Sequence, residues 1–477
     1  MIALVPALAL FGLWRYADGR AARTNDAFPA PASLPVSPLP APPPALGTPL
    51  LSFRRVPGLV ARELSSDAFV QTVTAFGNTL DATSCMTVQL DGVDIASHNP
   101  TLTVIPASNQ KLLAAAAALA VLGSDYVFTT EVRAGGVTGG VVSGDLYLVG
   151  GGDPLLTSEQ YPVSGDPYPV TSPTSLDALA DGVVAAGITR IDGDVVGDGS
   201  RYYDEFYLPG WSADVLGIEV GPLDALLVND ARVTGDEQRA NDPNSGAARE
   251  FVQLLQARGV TVAGEVGTGA APADTPVVAS VQSAPLPAVI AEMMSSSDNN
   301  TAEMLVKEMG VASGAEGTWA AGLAAMSAGL QGLGIDVTGA VFADGSGLSN
   351  DNRVTCQMIS DVLSLHVPDD ALAAGLPVAG ETGTLADVFV DSPVAGVMLG
   401  KTGTLGNAPF NADPPAVKAL SGYLPVEGGG VIEFALILNS PGTLTDQSVY
   451  RPIWDGFADM LAGYPSGPSV IDLGPTG

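Results

Sequence analysis

The sequence predicts a mixed α/β protein in which one folded domain is interrupted by another. Helix-like and strand-like segments occur at both ends of the folded body. A block rich in Gly and Asp, with a different texture, separates those ends. Short chemistry-bearing motifs fall on both sides of that block, and they have to meet in space. A domain placed in series between them would keep them apart, so the block reads as an insertion. At 477 residues the chain is also too long for one small core.

In chain order, the apolar run Met1 to Trp14 is shorter than the roughly 20 residues a spanning helix needs, and Arg15, Arg20 and Arg23 follow it. Residues 1–23 are read as a secretory-signal segment or an N-terminal anchor, and either implies export. Residues 24–54 are dense in proline, including Pro42-Pro43-Pro44, which makes a semi-rigid polyproline spacer. The folded body starts at residue 55. Met86 to Leu90, the turn Asp91-Gly92, and Val93 to Ala96 read as a hairpin. From Ser108 to Leu122 there is no Pro or Gly, Ala114 to Ala118 are consecutive alanines, and Gly123 is a natural stop. That is a buried helix with Ser108 at its start.

The middle block carries short strand-like runs such as Asp145 to Val149 and one helix, Ala247 to Ala257. Ala419 to Leu424 and Val431 to Leu438 read as strands joined by Glu427-Gly428-Gly429-Gly430, and residues 445–463 close the body as a helix. Residues 55–133 and 284–477 are therefore assigned to one domain and 134–283 to the insert.

Composition removes several function classes. A formal charge of −32 argues against nucleic acid or an anionic membrane surface as partner. The two cysteines, Cys85 and Cys356, lack metal-type spacing. His98 lies in a turn-like Ser-His-Asn-Pro stretch and His366 ends a helix, so neither a zinc site nor a Ser-His-Asp triad assembles easily. No metal or cofactor is expected.

The chain has only four lysines, and two sit in motifs. Lys111 closes Ser108-Asn109-Gln110-Lys111, Lys401 opens Lys401-Thr402-Gly403-Thr404, and Ser297-Asp298-Asn299 lies between them. The order S-x-x-K, S-D-N, K-T-G is the serine acyl-transfer set of penicillin-binding proteins and serine β-lactamases. A serine hydroxyl needs a neighbouring base, and a lysine three residues along a helix shares its face. Burial and a second cation lower a lysine's pKa towards that task. Ser297 can relay a proton to a departing amine and Asn299 can bind a substrate amide. Lys401 and Thr402 can hold a carboxylate on an edge strand, where Gly403 permits close approach. The N–H groups of Ser108 and Thr404 would form an oxyanion hole. Lys307, farther along the helix after the second motif, reads as structural.

Longer stretches extend the match: Pro106 to Leu112, Gly151-Gly152-Asp153-Pro154, Asp344-Gly345-Ser346-Gly347-Leu348-Ser349, Leu376 to Gly380, and Leu420-Ser421-Gly422-Tyr423 after Lys401 to Leu405. On these residues the chain resembles the D-Ala-D-Ala carboxypeptidase/endopeptidase family of class C low-molecular-mass penicillin-binding proteins. The resemblance implies an α/β domain like that of serine β-lactamases, a sheet flanked by helices, with a domain inserted after the first motif. It further implies an exported cell-envelope serine DD-peptidase that cuts peptidoglycan stem peptides ending in D-Ala-D-Ala and is acylated by β-lactams on Ser108. The rival readings are a β-lactamase and a catalytically silent scaffold on the same fold.

Two departures stand out. The insert is shorter than in members with a third domain, so that domain is expected to be reduced or absent. Asn350-Asp351 also follows Ser349 where the family often has a basic residue. The family binds a free stem amine through an acid after a tryptophan, for which Asp214 after Trp211 is the nearest candidate; an exposed loop aspartate is the alternative. Cys85 and Cys356 fall in one domain, and export permits them to pair; two buried free thiols are the alternative.

Overall fold

The computed structural model describes residues 56–161, 170–213, 215–236, 238–406, 416–426, 430–440, 447–467 and 473. The segments read as signal or anchor (1–23) and spacer (24–54), and Asp214, lie outside the described residues. No described helix is long and apolar enough to cross a membrane.

Strands from the two ends of the body form one antiparallel sheet. Cys85–Leu90 (β1) and Val93–His98 (β2) make the expected hairpin. Its turn residues Asp91 and Gly92 have φ of +52° and +74°, the left-handed pair that matches strand twist in a two-residue connection. Leu399–Leu405 (β3), Ala416–Pro425 (β4) and Val431–Ser440 (β5) complete the order β3-β4-β5-β1-β2. Every residue of β1 is buried, as a sheet covered on both faces requires.

The helices are Val56–Gly77 (α1), Gln110–Leu122 (α2), Leu176–Ala185 (α3), Pro243–Ala257 (α4), Leu286–Ser296 (α5), Asn299–Ala312 (α6), Trp319–Gly332 (α7), Cys356–Ser364 (α8) and Gln447–Ala462 (α9). Phe69 and Val73 of α1 and Trp454 and Phe457 of α9 pack on Leu420, Phe434 and Leu436 at one face of the sheet. On the other face Ala419, Ala435 and Ile437 join a core with α2, α5, α6, α7 and α8. The alanine run of α2 is wholly buried, and its small side chains let four helices approach. The sequence signals do not announce α1, because Pro57-Gly58 near its start is a turn signal.

A second sheet runs in the order Val266–Thr268, Val195–Asp198, Leu146–Val149, Thr129–Ala134, Val277–Gln282. Its outgoing and returning strands, Thr129–Ala134 and Val277–Gln282, pair antiparallel. Beside them Ser283 N donates to Phe128 O and Leu286 N to Tyr126 O, so the chain leaves and returns at one place. The strand Thr129–Ala134 straddles the expected boundary at 133/134, and its place is decided by pairing partners distant in sequence. Helices α3 and α4 cover this sheet through Leu179, Val183, Phe251 and Leu255.

Cys85 and Cys356 form a disulfide with Cα atoms 5.9 Å apart, joining the first residue of β1 to the first of α8. Replacing both by alanine is expected to cost about 2–5 kcal/mol. A thermal melt reads this as a lowered Tm, and an unchanged Tm would show the bond to be dispensable.

Candidate active site

Ser108 lies in a single 3₁₀ turn, Ala107–Asn109, that leads into α2. The expected helix thus begins slightly later, at Gln110. Ala107 has φ of +48°, uncommon for a residue with a side chain and a form of strain that gathers at functional sites. Several contacts hold the turn. Asn109 Nδ2 donates to Ser421 Oγ at 2.7 Å, and Gln110 Nε2 to Asp344 O at 3.2 Å. Gly347, at φ +89°, lies so close that a Cβ there would stand 1.9 Å from Ala107 O.

Lys111 is fully buried on the first turn of α2. Its Nζ lies 3.1 Å from Ser108 Oγ, 2.7 Å from Asn299 Oδ1 and 2.7 Å from Ser346 O. Asn299 Oδ1 and Ser346 O can only accept. A neutral amine has two N–H donors and one lone pair. Given to those two acceptors, the donors leave the lone pair for the Ser108 hydroxyl. Burial pushes Lys111 down to about 8, against the opposing pull of Asp298, Glu303, Asp344 and Glu219.

Ser297-Asp298-Asn299 is the joint between α5 and α6. Ser297 ends α5 in the left-handed region at φ +63°, and the Asp298 carboxylate caps α6 by accepting from Asn300 N and Thr301 N. The flanking residues can then face the site while the aspartate secures the backbone. Asn299 also donates from Nδ2 to Glu219 O at 2.8 Å, which leaves one amide N–H beyond these bonds.

Lys401, Thr402, Gly403 and Thr404 lie on β3, the edge strand. Lys401 is fully buried and donates from Nζ to Ser297 Oγ and Thr402 O, both at 2.8 Å. Burial and then the neighbouring Lys111 hold it well below the usual lysine range. The closeness of Gly403 is real: a Cβ there would stand 3.2 Å from Ser108 N and 3.1 Å from Pro106 O. Thr402 Oγ1 donates to Thr384 Oγ1 at 2.7 Å. A cleft of about 620 Å³, in the range of small-molecule sites, is lined by Ser108, Ser297, Asn299, Thr402, Gly403 and Thr404 among others.

All three motifs therefore converge. Two groups that sequence reasoning did not assign a role complete the frame. Ser346 supplies a carbonyl to Lys111. Glu303, one helical turn after Asn299, accepts from Ser346 N at 2.7 Å and Gly345 N at 3.1 Å. Burial and Asp344 raise the Glu303 carboxyl to about 7. Asp344 itself accepts from Gly347 N, Ser349 N and Trp211 Nε1. The signal for this frame was the Asp344 to Ser349 stretch. Lys307 is tied to the carbonyls of Glu205 and Tyr203 and lies 4.2 Å from the Trp319 ring centre.

Comparison with known proteins gives the same direction. Residues 80–238 and 229–463 match the family described as the D-Ala-D-Ala carboxypeptidase 3 (S13) family. A D-alanyl-D-alanine carboxypeptidase of Actinomadura sp. is 33% identical over 460 residues, covering 78% of this chain and 79% of that one. The crystal structure of penicillin binding protein 4 from Haemophilus influenzae is similar with a TM-score of 0.66 at 22% identity, covering 82% of this chain and 98% of the other. The same protein complexed with a β-lactam gives 0.60 at 23% identity, with the same coverage.

Proposed function

The chain belongs to the D-Ala-D-Ala carboxypeptidase 3 (S13) family and is a serine DD-peptidase acting on peptidoglycan, and from that premise we propose that Ser108 is its nucleophile and Lys111 the base. The observation that carries this assignment is the set of bonds at Lys111 Nζ, where two partners can only accept and the third is the Ser108 hydroxyl.

In this proposal a stem peptide ending in D-Ala-D-Ala lies along β3 with its terminal carboxylate at Lys401 and Thr402. Ser108 Oγ attacks the penultimate D-alanine carbonyl while its proton passes to Lys111 Nζ. The N–H groups of Ser108 and Thr404 receive the oxyanion. The C–N bond then breaks, and Ser297 Oγ, linked to Lys401, relays a proton to the departing amine. Water resolves the ester on Ser108 and returns the serine. An arriving carboxylate also favours a charged Lys401, and that charge favours a neutral Lys111. Substrate binding thus readies the base.

β-Lactams are proposed to acylate Ser108 by the same route. Residues 134–283 are proposed as an inserted domain, with the strand Thr129–Ala134 leading into it. The Cys85–Cys356 bond supports an exported enzyme, since such bonds persist in oxidising compartments.

The test is incubation of the purified protein with a peptide ending in D-Ala-D-Ala, and separately with benzylpenicillin followed by intact mass. The expected results are one D-alanine released per peptide cut and one intact antibiotic added to the protein. Absence of both would overturn the reading.

A further inference from the structure

Lys418 lines the same cleft as Ser108, and the chemistry above makes no use of it. It stands on β4 opposite Thr404, donates from Nζ to Thr404 Oγ1 at 2.9 Å, and lies 4.2 Å from the centre of the Tyr450 ring. Arg451 of α9 lines the cleft beside it, its guanidinium carbon 5.9 Å from the same ring centre. The chain carries 51 acidic and 19 basic side chains, and Arg62, Arg133, Arg190, Arg201, Arg249 and Arg258 each hold a carboxylate. Among the described residues neither Lys418 nor Arg451 does. The acids among the described residues that line this cleft, Glu219 and Asp387, form no ion pair with either.

Two further donors there lack acceptors. Among the described residues, Arg451 Nε and Trp454 Nε1 are both buried with no hydrogen-bond partner, and Trp454 is only 3% exposed. A buried donor left unsatisfied is costly, and two such donors on residues lining the cleft, with two cations that pair with no described carboxylate, describe a place for an anion. Burial and the nearness of Arg451 also push Lys418 down from its ordinary value, which an arriving negative charge would relieve.

We propose that Lys418, Arg451 and Trp454 form an anion subsite that receives a side-chain carboxylate on the acyl arm of the substrate. The direction follows from the strand. The leaving D-alanine carboxylate is placed at Lys401 and Thr402, Gly403 faces Ser108, and Thr404 beyond it pairs with Lys418. Residues advance about 3.3 Å along a strand, so Thr404 lies about 10 Å past Lys401, away from the leaving group. A carboxylate there belongs to the arm that stays on Ser108. The subsite rests on the peptidase reading and adds a preference to it: acyl arms bearing a carboxylate, held by charge-assisted hydrogen bonds.

The experiment uses the full protein and acetylated peptides Xaa-D-Ala-D-Ala, in which Xaa is glutamate, 2-aminoadipate or 2-aminopimelate, each paired with its side-chain amide. D-Alanine release gives kcat/KM for each. The carboxylate should be preferred over its own amide by about tenfold at the side-chain length that reaches the subsite. Lys418→Met and Arg451→Leu should each reduce that preference below about twofold, and added salt should weaken it in the wild-type protein. Because each ratio is taken within one protein, a general loss of activity cancels, and the two variants stand independently. A wild-type ratio near one at every length, or a ratio unchanged in both variants, overturns the subsite while leaving the peptidase reading intact. Release from no peptide at all overturns that reading and the subsite with it.

Discussion

Ser108→Ala is expected to end D-alanine release and covalent penicillin labelling together, while the protein stays folded. Loss of the nucleophile in a serine hydrolase costs on the order of 10⁶ in kcat, which here reads as no detectable turnover. The fold should survive because the turn is held by groups other than the serine hydroxyl: Asn109 on Ser421, Gln110 on Asp344, and Gly347 against Ala107. What the variant loses is one hydrogen bond to Lys111, worth about 0.5–1.5 kcal/mol. Penicillin mass labelling and a thermal melt of the same sample separate the two effects. Undiminished labelling of the alanine variant would move the nucleophile elsewhere and sink the assignment. Of the serines in the motifs, only Ser108 has its Oγ against a lysine amine whose other partners are both acceptors, so a substitute nucleophile is not expected.

The residues that meet in the cleft were legible because each motif is a local object. Ser108 and Lys111 are three apart and share a face however the rest of the chain folds. Lys401 to Thr404 declares an edge strand through Gly403. The role of Asp298 was less legible, since it faces the backbone of α6 as a cap instead of the cleft. The third partner of Lys111 was not legible at all. It is the carbonyl of Ser346, and a backbone carbonyl carries no residue-type signature; the Asp344 to Ser349 stretch marked the place without marking the atom.

The same distinction runs through the fold. The β1–β2 hairpin and the alanine-rich α2 are written in nearby residues. The start of the second sheet at Thr129 is not, because it is decided by pairing with Val277–Gln282 far along the chain. Lys418 shows the limit most clearly. In the sequence it is one of the two lysines outside the motifs, and only the β3–β4 register brings it to Thr404 and the cleft.

Replacing Lys111 is expected to separate the base from the carboxylate clamp. Lys111→Met keeps the bulk of the buried side chain but removes the amine, and acylation by penicillin should slow by roughly 10² to 10⁴-fold, the usual worth of a positioned base. The pH profile gives the sharper test. Burial pushes Lys111 down to about 8, and the neutral form is the active one, so kcat/KM in the wild type should rise with pH towards that value. Two pH units below it, only about one-hundredth of the amine is neutral, and the rate should fall in proportion. Lys111→Met should lose this rise along with the rate. Lys401→Ala should instead keep the rising limb, because Lys111 is still present. Its loss should fall mainly on KM for carboxylate-bearing substrates, since Lys401 is proposed to hold the substrate carboxylate and is not bonded to the nucleophile. If the rising limb vanished from Lys401→Ala and survived in Lys111→Met, the two lysines would have exchanged roles. The bonds at Lys111 Nζ argue for the assignment given: its lone pair has Ser108 as the one partner able to donate to it.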